Sequence, residues 1–118
     1  MRRFVRIFKP QFAELIECGK KLQTVRPVPV RMPSPGDTIS LRAWSGLPYR
    51  SKQRVLREAT IFEVSPCDIY ESAVYVNGKP EHRHGFAVAD GFTDYGELAE
   101  WFKNVHGLPF NGIVIKWK

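Results

Sequence analysis

Apolar and polar residues alternate along Arg2–Phe8, with Val5 and Ile7 on one face of a strand and Phe4, Arg6 and Phe8 on the other. The period changes at Pro10. Phe12, Leu15 and Ile16 then follow helical spacing, behind a proline whose missing N–H costs nothing at a first helical position. Gly19 sits where a left-handed residue ends a helix. β-Branched Thr24 and Val25 predict a second strand over Lys21–Arg26. Four prolines between Pro27 and Gly36 rule out a central strand there and leave an extended connector. Alternation returns over Asp37–Trp44, with Ile39, Leu41 and Ala43 inward and Thr38, Ser40 and Arg42 outward. A loop with Gly46 and Pro48 leads into a strand-like stretch from Gln53 to Val64, which Ser65-Pro66 is expected to break. Asn77-Gly78 is a hairpin signal that pairs Ala73–Val76 with Lys79–His82. Leu98, Trp101, Phe102 and Val105 form the clearest helical stripe, and Trp101 and Phe102 are expected in the core. Asp94 caps that helix with Glu97 three residues on, and Gly107 stops it. Asn111–Trp117 closes the chain as a strand with Ile113, Ile115 and Trp117 on one face.

Five or six strands with few helical crossovers, plus two main helices, predict a mostly β domain. The expected form is a small, mostly antiparallel barrel with helices at its rim. An open α+β sheet is the alternative. The 118 residues fit a single domain over 1–118, and 43% hydrophobic residues suffice for one core.

Charge narrows the choice of partner. Lys and Arg number 18 against 12 Asp and Glu, for a net charge of +6 and a pI near 9.6. That balance favours an anion, nucleic acid first among them, or describes no more than a basic surface. Cys18 and Cys67 lie far apart and outside any CxxC pattern, so a disulfide scaffold is excluded; Cys18 is expected to be a small, partly buried apolar residue. No apolar run reaches the roughly 20 residues of a membrane span. Arg6 and Lys9 interrupt any signal-peptide core, which places the protein in the cytoplasm. His82 and His84 could share a strand face, but no third ligand has suitable spacing, so neither a metal nor a cofactor is expected.

The segment Gly19-Lys20-Lys21-Leu22-Gln23-Thr24-Val25-Arg26 carries the candidate chemistry. Strand alternation puts Thr24 and Arg26 on one face, and Lys21 at the turn has the reach to join them. An ammonium, a hydroxyl and a guanidinium on one point suit an anion or a polarised carbonyl; the same residues would also make a solvated face. Tyr49, Arg50, Lys52 and Arg54 form a basic stretch with one aromatic, suited to phosphates and a base, or to a solvated loop. Trp44, on the strand face opposite Ile39 and Leu41, could stack on a base or cover a sheet edge.

Gly-x-Lys-x-x-Thr-x-Arg after an N-terminal helix resembles the signature of the ASCH domain, a member of the PUA-like group. Pro35-Gly36-Asp37, Asp90-Gly91-Phe92 before the capped helix, and Leu108-Pro109-Phe110 before the last strand extend the likeness in order over nearly the whole chain. The resemblance implies a PUA-like barrel with a cleft between barrel and helices, and RNA-related work. Small stand-alone bacterial and phage members are associated with amide hydrolysis of N4-acetylcytidine and with RNA cleavage. In the amidohydrolases the implied working groups fall on Lys21, Thr24 and Asp90. Members often carry Glu at the place of Asp90, whose reach is one methylene shorter, roughly 1.5 Å. Outside that role Asp90 is a helix-leading carboxylate or a salt-bridge partner. The implied ligand is RNA or a modified nucleoside. Lys20, Arg26, Trp44, Tyr49, Arg50, Lys52 and Arg54 are its candidate contacts, on a monomer or weak dimer with no membrane partner. The alternative readings are an RNA-binding protein or ribonuclease using the same basic cleft, and a protein-interaction module.

Overall fold

The structure is a computed structural model that describes every residue from Met1 to Lys118. Seven strands and three helices follow one another as β1 (Arg3–Ile7), α1 (Pro10–Glu17), β2 (Gln23–Arg26), β3 (Thr38–Trp44), β4 (Gln53–Ile69), β5 (Val74–Val76), β6 (Lys79–Pro80), α2 (Arg83–Ala89), α3 (Tyr95–Val105) and β7 (Phe110–Trp117). The domain is small and mostly β, but its sheet is not closed. The strand path runs β1-β3-β4, and β4 then pairs with both β5 and β7, while β7 carries β2. β1 lies parallel to β3; the other pairings are antiparallel. The path therefore ends on β1 at one side and β2 at the other.

β4 is the strand that turns the sheet. Its first half pairs with β3 and its second half with β7, and the register slips opposite Leu41/Arg42 and between Ile61 and Glu63. Each slip leaves an extra residue in β4, and such bulges bend a strand and sharpen its twist. Phe62, the extra residue at the second slip, points its ring to solvent. The expected break at Ser65-Pro66 does not occur. Pro66 pairs across from Ile113 while its carbonyl accepts the Asn77 N–H at 3.0 Å, on the other side of the strand. A residue's nitrogen and carbonyl point the same way in a strand, so the missing Pro66 donor faces the end of β5 and costs the β4–β7 ladder nothing.

Twenty-four buried residues make one core cluster. Ile39, Leu41 and Ala43 point inward as alternation requires. β7 and α3 bring Ile113, Ile115, Trp117, Leu98 and Phe102 against them. Gly19 takes the left-handed conformation after α1, at φ 82°. Asp94 accepts the Glu97 N–H at 2.8 Å, and Glu97 reaches back to the Thr93 N–H and hydroxyl. Cys18 is exposed rather than partly buried, and no helix is long and apolar enough to cross a membrane.

α2 has no counterpart in the sequence reading. It is short, contains Gly85, and buries only Phe86 and Ala87, too few residues to print a periodic stripe. Its presence overturns the paired histidines of a strand face. His82 is the N-cap of α2, its Nδ1 accepting the Gly85 N–H at 3.1 Å, and His84 lies inside the helix.

Candidate functional site

The gap between β1 and β2 is where the chemistry gathers. A cavity of ≈ 180 Å³ opens there, walled by Phe8 from the end of β1, Phe12 from α1, Phe92, and Trp101 and His106 from α3 and its cap. Lys21, Thr24, Arg26 and Asp90 line the same cavity.

Local structure explains how they meet. The Leu15 carbonyl at the end of α1 accepts the N–H groups of both Lys20 and Lys21 at 2.9 Å, which fixes the turn into β2. The Leu22 N–H then donates to the Ala89 carbonyl, joining that turn to the end of α2. Asp90 is the C-cap of α2, so the carboxylate follows one helix before it precedes the next. Gly91, at φ 97°, carries no side chain because a Cβ would sit 3.0 Å from the Lys21 stem and 3.2 Å from the Phe12 ring. Lys21 is thereby laid across Gly91 and into the cavity.

Lys21 and Asp90 are 2% and 3% exposed. The Lys21 Nζ donates to the Asp90 backbone carbonyl and lies 3.9 Å from the Asp90 Oδ2. It also sits 4.7 Å over the Phe12 ring and 5.6 Å over Phe8. Burial pushes the Lys21 ammonium below the ordinary lysine range, against the pull of Asp90 and with the help of Arg26. Burial likewise raises Asp90 above the usual carboxylate range, opposed by Lys21, the Gln23 hydrogen bond and Arg26. Burial thus disfavours the charged form of both groups, and their mutual attraction opposes it in both.

Thr24 and Arg26 share a face as alternation predicts. The Arg26 Nε donates to the Thr24 hydroxyl at 3.1 Å, and its Nη2 donates to the Ile7 carbonyl at 3.1 Å. The guanidinium therefore spans the gap between β2 and β1 while lying 4.7 Å over the Phe8 ring. Burial first, and then repulsion from Arg6, brings Arg26 down to about 10, so it stays charged at neutral pH.

Three participants escaped the sequence reading. Gln23 donates from Nε2 to the Asp90 Oδ1 at 3.3 Å; its one signal was a polar residue opposite Thr24 on a strand buried on both faces. Trp101 is half-buried at the cavity wall rather than in the core, with the Lys9 Nζ 5.3 Å over its ring. His106 borders the cavity beside Trp101, Phe102 and Phe110. Partial desolvation at the cavity rim, then the charges of Arg26 and Lys9, hold its imidazole below the usual histidine range. Nothing in its sequence position, next to Gly107, announced it.

The remaining predicted contacts lie outside the cavity. Lys20 is exposed and does not border it. Trp44 and Tyr49 pack together at 5.0 Å, and Arg50 and Lys52 are exposed on the loop beyond them. Arg54 belongs to β4 rather than the loop and pairs with Glu17 at 3.0 Å. Set against family models, curated proteins and solved structures, the chain matches none.

Proposed function

We propose that the chain is an ASCH-type domain whose sheet is an opened PUA-like barrel, and that it hydrolyses the N4-acyl amide of N4-acetylcytidine. The observation that carries this reading is the buried Lys21–Asp90 pair in the cavity that Thr24 and Arg26 also line. Burying an ion pair costs more hydration than its attraction returns, and a perturbed buried pair that lines a cavity is a candidate for chemistry; Thr24 and Arg26 line the same cavity. The opened-barrel reading is supported by β1 and β2, which end the strand path and are joined through the Arg26–Ile7 bond.

The chemistry balances with these groups alone. Lys21 in its neutral form takes the Thr24 proton as Oγ1 adds to the acyl carbon. The Arg26 guanidinium donates from Nε to Oγ1 and from Nη2 to the Ile7 carbonyl, which leaves its Nη1 to meet the acyl oxygen as that oxygen becomes negative. Collapse breaks the C–N bond, and the departing N4 takes a proton from the Lys21–Asp90 pair, leaving cytidine and acetyl-Thr24. Water then adds to the ester and gives a proton to the same pair; the acyl C–Oγ1 bond breaks, the pair returns that proton to Oγ1 to restore the Thr24 hydroxyl, and acetate leaves. The cavity, ≈ 180 Å³, is smaller than the roughly 300–1,000 Å³ of drug-sized sites, a size suited to one flat ring, and Phe12, Trp101 and His106 border it.

The test is incubation of the protein with free N4-acetylcytidine, followed chromatographically for cytidine and acetate. The expected outcome is stoichiometric release of both. Absence of cytidine with the folded parent protein at every pH from about 6 to about 9, the span over which the paired groups exchange their proton, overturns the reading.

A further inference from the structure

The turn that leaves β1 separates the site cavity from a second one. The second cavity, ≈ 240 Å³, is walled by Trp44, Pro48, Gly46 and Pro10. The two share three residues, Ile7, Phe8 and Lys9. Of the shared residues only Lys9 is charged. It is exposed, forms no salt bridge, and holds its ammonium 5.3 Å over Trp101 at the mouth of the site cavity. A cation thus stands between two aromatic-walled hollows.

The second hollow has its own aromatic arm. Tyr49 has φ 62°, a left-handed backbone that a bulky side chain adopts at a cost of about 1–3 kcal/mol. Its ring nevertheless stays 88% exposed, 5.0 Å from Trp44. The Arg50 N–H donates to the Leu47 carbonyl at 3.1 Å, so this positive φ belongs to a closed turn with Pro48 and Tyr49 at its centre. It fixes a flat ring at the rim of the Trp44 cavity. Arg50 and Lys52, exposed and without carboxylate partners, continue from it, so the charges at this rim are positive.

We infer that the Trp44 cavity takes the base of the nucleotide adjoining the one in the site cavity, with Lys9 on the phosphodiester between them. The substrate class then extends from the free nucleoside to a single-stranded oligonucleotide that carries it, which should bind more tightly. The inference rests on the reading of the site cavity as a nucleobase pocket. Ring pocket, cation and ring pocket repeat in the order of base, phosphate and base along a strand. Aromatic stacking supplies sequence-tolerant affinity at the neighbour, and the cation supplies the backbone contact.

The experiment compares dissociation constants for cytidine and for a cytidine ribotrinucleotide, which offers a neighbour on either side of its central base. Titrations use the parent, Trp44→Ala, Trp44→Phe and Lys9→Ala, with each melting temperature recorded. The trinucleotide should bind the parent about tenfold or more tightly than the nucleoside, the gain expected of one stacked base. Trp44→Ala should bring that ratio close to one and Trp44→Phe should restore most of it. Lys9→Ala should lower both the ratio and its dependence on salt. A ratio near one in the parent, or one that survives in folded Trp44→Ala, overturns the second subsite. The ligands carry no acyl group, so the outcome is independent of amide hydrolysis. A preserved ratio without turnover of N4-acetylcytidine sinks the hydrolase and leaves the subsite standing, and turnover with a ratio of one does the reverse.

Discussion

Replacing Lys21 and Asp90 singly and together separates a pair kept for chemistry from a pair kept for stability. At 3.9 Å and an effective dielectric near 20, their attraction is about 4 kcal/mol. Each ion, 2–3% exposed, loses several kcal/mol of hydration on burial. Attraction therefore does not recover the cost of desolvating both. Lys21→Met leaves Asp90 buried opposite nothing but the Gln23 amide and Arg26; Asp90→Asn leaves Lys21 with a backbone carbonyl and two aromatic rings. Each single variant is expected to lose about 3–5 kcal/mol. The double variant Lys21→Met/Asp90→Asn should regain that loss and match or exceed the parent by up to about 4 kcal/mol, since a neutral pair of similar volume needs no hydration replaced. Urea denaturation of all four proteins measures the cycle, and N4-acetylcytidine turnover should be abolished in all three variants. A double variant less stable than either single one would refute the argument, because the pair would then be holding the fold.

Three further outcomes follow from the same geometry. Thr24→Val keeps the β-branched shape on β2 but removes the hydroxyl that accepts from Arg26, so turnover should collapse while affinity changes less than about tenfold, or about 1.4 kcal/mol; calorimetry with single-turnover kinetics checks it, and retained turnover rules out hydroxyl attack. The lowered Lys21 binds fewer protons when folded than when unfolded, up to the ordinary lysine range near 10.4, so this group makes stability rise with pH there. The raised Asp90 does the opposite above the ordinary value near 3.9, so stability falls as pH rises toward its folded value; melting temperatures from acid to alkaline pH should show a dip between the two windows that the double variant lacks. For RNA, Arg50→Ala/Lys52→Ala should flatten the log–log salt slope by about 1–1.5 at roughly 0.7 per phosphate, and Arg54→Ala should add little because Glu17 already holds it; equal effects from all three would place Arg54 on the RNA path.

Periodicity made the core legible at Ile39, Leu41 and Ala43, at Phe12 and Ile16 of α1 and at Leu98 and Phe102 of α3, whereas Val105 of the expected α3 stripe is exposed; the Asn77-Gly78 signal placed its turn. The cavity-lining face of β2 was legible for the same reason, since alternation alone aligns Thr24 with Arg26. What failed were features decided by tertiary contact. Pro66 breaks a strand only if its nitrogen is needed by a ladder, and which side it faces depends on where β5 ends. α2 is held by two buried residues and an unusual histidine cap. Gln23, Trp101 and His106 join the site through folding distance rather than spacing. The helix count fell short because α2 is too short to carry a period.

The open edge and the cavity are one feature. Strands paired directly stand about 4.8 Å apart, which leaves no room for a ligand between them. β1 and β2 do not pair, and the carbonyl of Ile7, which a neighbouring strand would otherwise satisfy, takes its proton from Arg26 instead. A guanidinium is long and planar enough to bridge a wider gap and keep spare donors for a ligand. Phe8 lies beneath it, so the bridge is also walled from below. The guanidinium that satisfies the sheet edge is the one that donates to Thr24, and it lines the cavity that opens between the two strands. A backbone ladder in its place would complete the sheet and abolish the site, which is why local rules of edge pairing are broken here and kept along β3, β4 and β7.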